Sequence, residues 1–376
     1  MDFAFSEEQD EFRAMLRRFF EEKASGIEVR RMAESAEGFD RALWKQMAQE
    51  LGLQGVHLPE KHGGQGFGFL ELGVALEEMG RVLLPSPFFA SSVLATAAIL
   101  NAGSQEQQAA LLPGLASGER IATLALVEPG GCWDPLAIEL EAIPDGDGFR
   151  LTGTKELVLA GDVAELFIVA ARLPGTQGGE GLTLCLVDAT NGGLKRTLEE
   201  PLDVTRRMAR IEFDAVSAKA LGNPGQAAAP LAKVLAQGAI AQTAEMVGGA
   251  ARCLDLAVEY AKVRVQFGRP IGSFQAVKHK AAEVLLDLEM ARSAAYWAWW
   301  VADEDGDELF LAASLAKATC ADAFHHAARE NIQIHGGIGF TWENDAHLYY
   351  KRATASDVLL GDAGEHRLKL ADLLVA

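Results

Sequence analysis

Basic residues are scarce in this chain relative to acidic ones. Over 376 residues there are 34 Lys and Arg against 53 Asp and Glu, a formal net charge of -19. A phosphate backbone would be repelled by such a surface, which excludes nucleic acid as a partner and fits ordinary solubility. Cysteine is equally sparse. Cys132, Cys185, Cys253 and Cys320 stand far apart with no CxxC pair, which argues against a zinc site and a disulfide framework and fits a reducing cytoplasm. His325 and His326 have no second ligand pair spaced to join them, so no metal is expected.

Long uninterrupted apolar runs are missing too. The most apolar stretch, Ala227 to Ala251, is broken by Lys233, Gln237, Gln242 and Glu245, and reads as a buried helix, not a membrane span. The first residues, MDFAFSEEQDEF, are acidic where a secretory signal would be basic. There is no internal repeat and no low-complexity tail.

What is present is an α–β–α order. Residues 1–118 read as helices. Ser6 followed by Gln9 forms a capping-box start, and Phe12, Leu16 and Phe19 follow at helical spacing. A Gly- and His-rich loop spans Leu58 to Gly68, and Leu112-Pro113-Gly114 closes the region. Residues 119–222 carry short β-branched runs separated by turn residues, with a hairpin signal at Asp145-Gly146-Asp147-Gly148. Residues 223–376 are helical again, in long Ala-rich segments broken at Gly268-Arg269-Pro270 and Gly336-Gly337. The expected class is α+β, with a middle β-domain of meander, barrel or sandwich type packed between two helical bundles. Trp297, Trp299 and Trp300 read as helix-packing aromatics.

Two clusters carry candidate chemistry. Arg264, Gln266, Phe267 and Gly268 gather where a helix ends. A guanidinium fork suits a pyrophosphate, an amide adds a hydrogen bond, and glycine permits close approach. Gln333 and His335 flank a second close-approach turn at Gly336-Gly337. On residue types alone, both clusters are equally well read as loops joining helices.

The segment YAKVRVQFGRPIGSFQAVKH, Tyr260 to His279, resembles the C-terminal signature of the acyl-CoA dehydrogenase family, and QIHGGIGFTWENDAHLYYKRA, Gln333 to Ala353, resembles its second signature. LGLQGVHLPEKHGGQG near Leu51 and LLPGLASGE near Leu111 are similar to its N-terminal domain. The resemblance implies an FAD enzyme that removes an α-proton from an acyl-CoA thioester with a glutamate and passes the β-hydrogen as hydride to the flavin. It further implies that Arg264 and Gln266 reach the FAD of a neighbouring subunit, and that Gln333, Gly336 and Gly337 line its ADP part, so that the protein is an oligomer with a separate electron acceptor.

Against that pattern the chain departs in particular places. Leu360 stands at the commonest position of the glutamate base, with Asp362 at that of a threonine. Gly238 stands at the family's alternative base position, beside Ala239. Val127, in Val127-Glu128-Pro129, replaces a flavin-bonding threonine, Trp133 replaces a small serine, and Leu157-Val158-Leu159-Ala160 replaces a Trp-Ile-Thr-Asn stretch. Asp362 and Glu245 are the remaining base candidates; Glu245 lies seven residues past Gly238, about 10 Å along a helix. Asp357 and Glu365 read as capping or solvated.

Kept contacts to a neighbour's FAD, with lost contacts to the chain's own flavin, point to the supporting chain of a heteromeric α2β2 acyl-CoA dehydrogenase. A glutamate-bearing paralogue would complete it, for bulky thioesters such as sterol side chains. Two alternatives stand beside it: a homo-oligomeric dehydrogenase with an unusual base, and a non-enzymatic CoA-binding or assembly protein.

Overall fold

The computed structural model describes residues 5–304 and 306–375. These residues fall into two compact units. The first comprises the stretch ending at Arg31, Phe69–Leu84 and the stretch from Ala239 onward; the second comprises Met32–Gly68 and Pro85–Gly238.

The first unit is helical. Helix α1 (Glu7–Lys23) starts with the expected capping box: Gln9 N donates to Ser6 Oγ at 3.2 Å, and Ser6 N donates to Gln9 Oε1 at 3.0 Å. Leu16 and Phe20 form its buried stripe. It is followed by α2 (Gly26–Glu34), whose start belongs to this unit. Helix α4 (Phe69–Val82) brings two fully buried carboxylates. Glu77 receives Arg13 at 2.5 Å and Tyr296 Oη at 3.2 Å, and Glu78 is forked by Arg17 at 3.0 and 2.7 Å. Buried charge is tolerated when each ion is paired and hydrogen-bonded in this way.

Four helices complete the unit after α7 (Ala228–Val263): α8 (Gln275–Glu304), α9 (Leu309–His335), α10 (Ala346–Val358) and α11 (Ala363–Val375). Small residues let them approach closely. A Cβ on Gly80 would lie 2.3 Å from Glu245 O, and one on Gly73 would strike the Trp299 ring. Trp299 is fully buried and donates Nε1–H to Thr243 Oγ1 at 3.1 Å. No described helix is long and apolar enough to cross a membrane.

The second unit holds helices α3 (Arg41–Gln49), α5 (Thr96–Ala102) and α6 (Gln105–Ala116), and a mixed sheet. Its strands are β1 (Ala122–Ala125), β2 (Ala142–Asp145), β3 (Gly148–Leu159), β4 (Leu166–Arg172), β5 (Leu182–Asp188), β6 (Leu194–Leu198) and β7 (Met208–Leu221). They pair in the order β1-β4-β5-β7-β3-β2, with β6 also on β7. The Asp145–Gly148 signal is the β2–β3 hairpin, those two residues closing the register. Every pairing is antiparallel except β1 with β4, which the β2–β3 excursion makes parallel. β3 is bent by register shifts between Leu151 and Gly153 and between Lys155 and Val158, and Leu157 is left-handed there at φ 53°. The helix–sheet–helix α+β class read from the sequence is the class observed.

Candidate cofactor site

Helix α7 runs 36 residues and stops at Val263. The chain then doubles back as a short hairpin of β8 (Val265–Gln266) and β9 (Arg269–Pro270). Both tip residues are left-handed, Phe267 at φ 53° and Gly268 at φ 77°, as a two-residue primed turn requires. Glycine accepts that backbone freely; phenylalanine does not, and it holds its ring 91 % exposed. The ring meets Phe274 edge-on at 6.1 Å, and Phe274 in turn carries the Arg269 guanidinium at 4.1 Å. Arg264 is exposed, and among the described residues no hydrogen bond or ion pair is made by its guanidinium. Gln266 donates its amide to the neighbouring Val265 carbonyl, at 2.9 Å.

This hairpin is tied to the second cluster. Tyr260 stacks on His335 with ring centres 4.4 Å apart, over a small core of Ala257, Ala261 and Ile334. His335 Nδ1 lies 2.8 Å from Asn331 O, which fixes the ring across the end of α9. Gly336 follows at φ 63°, and a Cβ on Gly336 or Gly337 would meet nothing within 4 Å. Gln333 is exposed beside them. The eight cofactor candidates thus lie on two adjoining projections, joined through the Tyr260–His335 stack. An unpaired guanidinium, exposed amides and bare glycine backbone fit the anionic, hydrogen-bonding ADP half of FAD.

The base positions look different. Gly238 and Ala239 are buried within α7. Leu360 is 4 % exposed and left-handed at φ 64°. Its carbonyl lies 3.1 Å from His366 Nε2, and burial pushes the His366 imidazole down to about 4, so the ring is neutral at pH 7. Asp362 Oδ1 accepts from Glu365 N at 2.8 Å and Asp357 Oδ1 from Ala363 N at 3.2 Å, both at the start of α11. Lys317 donates to Ser356 O and Asp357 O at 2.7 and 2.9 Å, closing the end of α10. Glu245 is buried on α7 with its Oε1 4.0 Å from Arg352 Nη1. Each acidic candidate therefore has structural work to do: Asp362 caps, and Glu245 balances a buried arginine.

In the second unit Val127 and Leu159 are interior side chains, 1 % and 4 % exposed. Sequence reasoning missed the groups that hold the segment after β1. Lys155 is fully buried and donates to Leu126 O at 2.9 Å and Glu128 Oε1 at 2.7 Å. The Glu128 carboxylate also accepts from Glu139 N and Leu140 N, both at 2.9 Å. Arg172, also buried, donates to Leu136 O at 3.2 Å and to Ile138 O. Burial pushes the Lys155 ammonium down to about 8, with Glu128 opposing the fall. The available signal was a lysine inside the β-branched run of β3, an unusual place for a charge without a partner.

His326 pairs with Asp287 at 2.6 Å, and no cluster able to hold a metal occurs among the described residues. The structure keeps Trp299 in the core as expected, with Trp297 and Trp300 half-buried.

Comparison with known proteins agrees along the whole chain. The sequence matches the acyl-CoA dehydrogenase N-terminal domain over residues 6–119, the middle domain over 123–216 and the C-terminal domain over 225–374. It is 33 % identical over 365 residues to the acyl-CoA dehydrogenase IpdE2 of Mycolicibacterium smegmatis, covering 97 % of this chain and 98 % of that one. Among solved structures, the Tcur3481–Tcur3483 steroid ACAD is 34 % identical with a TM-score of 0.88, covering 98 % of each chain. The ChsE4–ChsE5 complex of Mycobacterium tuberculosis is 29 % identical with a TM-score of 0.90, covering 100 % and 99 %. The chain belongs to the acyl-CoA dehydrogenase family, FAD-dependent oxidoreductases acting on CH–CH bonds.

Proposed function

We propose that this chain is the supporting subunit of a heteromeric acyl-CoA dehydrogenase. One observation carries the reading. The polar groups suited to a cofactor, Arg264, Gln266 and the Gly336-Gly337 backbone, are turned outward, while the base position holds a buried leucine, Leu360. In the complex, Arg264 would neutralise part of the FAD pyrophosphate through charge-assisted hydrogen bonds, and Gln266, Gln333 and His335 would fix its ADP half. FAD supplies hydride acceptance when bound. The α-proton would go to a glutamate on a paralogous partner, since neither Leu360 nor Gly238 has a group that accepts one.

Two solved relatives support this reading, the Tcur3481–Tcur3483 steroid ACAD and the ChsE4–ChsE5 complex. The first also favours a bulky, steroid-like acyl thioester over a short straight chain, and an electron-transferring protein would reoxidise the flavin. In domain terms we assign residues 1–118, 119–222 and 223–376 to the N-terminal, middle and C-terminal parts.

The test is to purify the chain alone and co-expressed with a glutamate-bearing paralogue. The expected result is a stable complex with stoichiometric FAD, and weak or substoichiometric FAD in the chain alone. Stoichiometric, tightly held flavin in the isolated chain would favour the homo-oligomeric alternative. No flavin in either preparation would favour a CoA-binding or assembly role.

A further inference from the structure

Helix α8 packs on its own chain with only part of its surface. Val284, Leu288, Ala291 and Ala295 form its buried stripe, at helical spacing. A second stripe occupies a different face. Lys278, Ala282, Leu285 and Glu289 stand four, three and four residues apart, which aligns them along the helix, and all four are exposed. Leu286 and Met290 flank them at 62 % and 57 % exposure, beside Leu285 at 47 %. Three large apolar side chains in one open row mark a contact surface where a lone exposed leucine would not. A groove of about 390 Å³ lies alongside, between Ala282 and Leu285 of α8 and Leu254 and Val258 of α7. Its two carboxylates are paired within the chain, Asp255 to Arg81 at 2.8 Å and Glu259 to Arg252 at 3.7 Å.

The exposed stripe is its own complement. Laid antiparallel on a copy of itself, about an axis midway between Ala282 and Leu285, it sets Lys278 opposite Glu289 and Ala282 opposite Leu285. The two-fold then repeats both pairs on the other side of the axis. The first pair is opposite in charge. The second is opposite in size, the small Ala282 leaving room beside the groove for a leucine knob. Among the described residues no carboxylate meets the Lys278 ammonium. Glu289 is met by Arg292 three residues on, in an exposed pair of the kind that contributes little to stability. A different chain would have to carry the same Lys–Ala–Leu–Glu order to satisfy this face, whereas a second copy carries it already.

We propose that α8 packs antiparallel against α8 of a second copy of this chain, on a two-fold axis passing between Ala282 and Leu285. The contact is independent of the supporting-subunit role. It fixes where two copies meet whether or not a paralogous chain joins them.

The test is sedimentation equilibrium of the full chain purified alone, with variants at these exposed positions and a thermal melt to check that each is folded. The wild type should be dimeric at micromolar concentration. Leu285→Asp should raise the dimer Kd by about a hundred-fold or more, because it places two carboxylates in the seam. Lys278→Glu should raise it by about ten-fold, because symmetry turns two attractions into two repulsions. The double variant Lys278→Glu with Glu289→Lys should restore a Kd close to that of the wild type, which a merely structural role for either residue would not produce. A wild-type monomer that associates only with a glutamate-bearing paralogue overturns the proposal and gives the face to that chain. An unchanged Kd in Leu285→Asp overturns it by placing the contact elsewhere, and failure of the double variant to recover overturns the antiparallel register.

Discussion

Two corners of the first unit handle polar groups in opposite ways. At the β8–β9 hairpin and the Gly336-Gly337 turn, a guanidinium, side-chain amides and bare backbone face outward with few partners of their own. Around Leu360 the polar groups close on one another: His366 on the Leu360 carbonyl, Lys317 on the end of α10, Asp362 and Asp357 on the start of α11. An enzyme that did its own proton transfer would reverse this, keeping an uncommitted carboxylate at the inner corner. The contrast is what the supporting-subunit role proposed above would lead one to expect. The strap after β1 follows the closed pattern, with Lys155 and Glu128 satisfying each other.

The comparison can be broken by removing members of each class. The largest effect on stability is expected at Lys155→Met, which leaves the Glu128 carboxylate without its counter-ion. Breaking a buried pair from one side costs about 3 kcal/mol, read as a fall in the urea midpoint. Little change would mean that the strap is held by Arg172 and its backbone bonds alone.

Arg264→Ala should do the opposite. It should leave the stability of the chain within about 0.5 kcal/mol, because the guanidinium has no partner among the described residues. In the partner-containing complex it should weaken FAD by about 1.5–3 kcal/mol, roughly ten- to a hundred-fold. Excess FAD should restore turnover. A destabilised chain with unchanged FAD affinity would turn the outward corner into an inward one.

Acid probes two buried histidines, His366 at the closed corner and His57 in the second unit. Burial holds His366 and His57 at about 4 in the folded state, against 6.5 unfolded. The unfolded state therefore binds more protons between those values. Stability contributed by keeping these rings neutral is present above pH 6.5 and lost as pH falls toward 4, by about 1–2 kcal/mol for each ring. His366→Gln, whose amide still donates to Leu360 O, should flatten part of that slope in urea melts at pH 7 and 4.5. An unchanged slope would remove His366 from the account.

The smallest effect is expected at Asp362→Ala. Loss of a helix cap costs about 1 kcal/mol, with no change in the activity of the complex. A selective loss of activity would return Asp362 to candidacy as a base.

Local features were the legible ones. The Ser6–Gln9 capping box, the Asp145–Gly148 hairpin and the break at Gly268-Arg269-Pro270 depend on neighbouring residues; the first two appear where their residues stand, and the third lies in the β8–β9 hairpin, whose tip is Phe267-Gly268. The outward corner was legible because its groups occur in two contiguous motifs. What stayed hidden depends on distant partners. Lys155 reaches back 27 residues to Glu128, and Arg172 reaches back 34 to Ile138. The parallel β1–β4 pairing skips two strands, and the packing of α4 with α8 joins helices more than 190 residues apart. No periodicity reports such pairings. The jobs of Asp362 and Glu245 also needed coordinates, since a carboxylate in sequence does not say whether it caps, pairs or waits for a proton.

The most direct test of the central claim is turnover by the isolated chain. Purified alone, with saturating FAD, an artificial electron acceptor and a steroid-type acyl-CoA, it should work two to four orders of magnitude more slowly than the complex with a glutamate-bearing partner. Brisk turnover by the chain alone would contradict the account, and Asp362→Asn and Glu245→Gln would then identify the base.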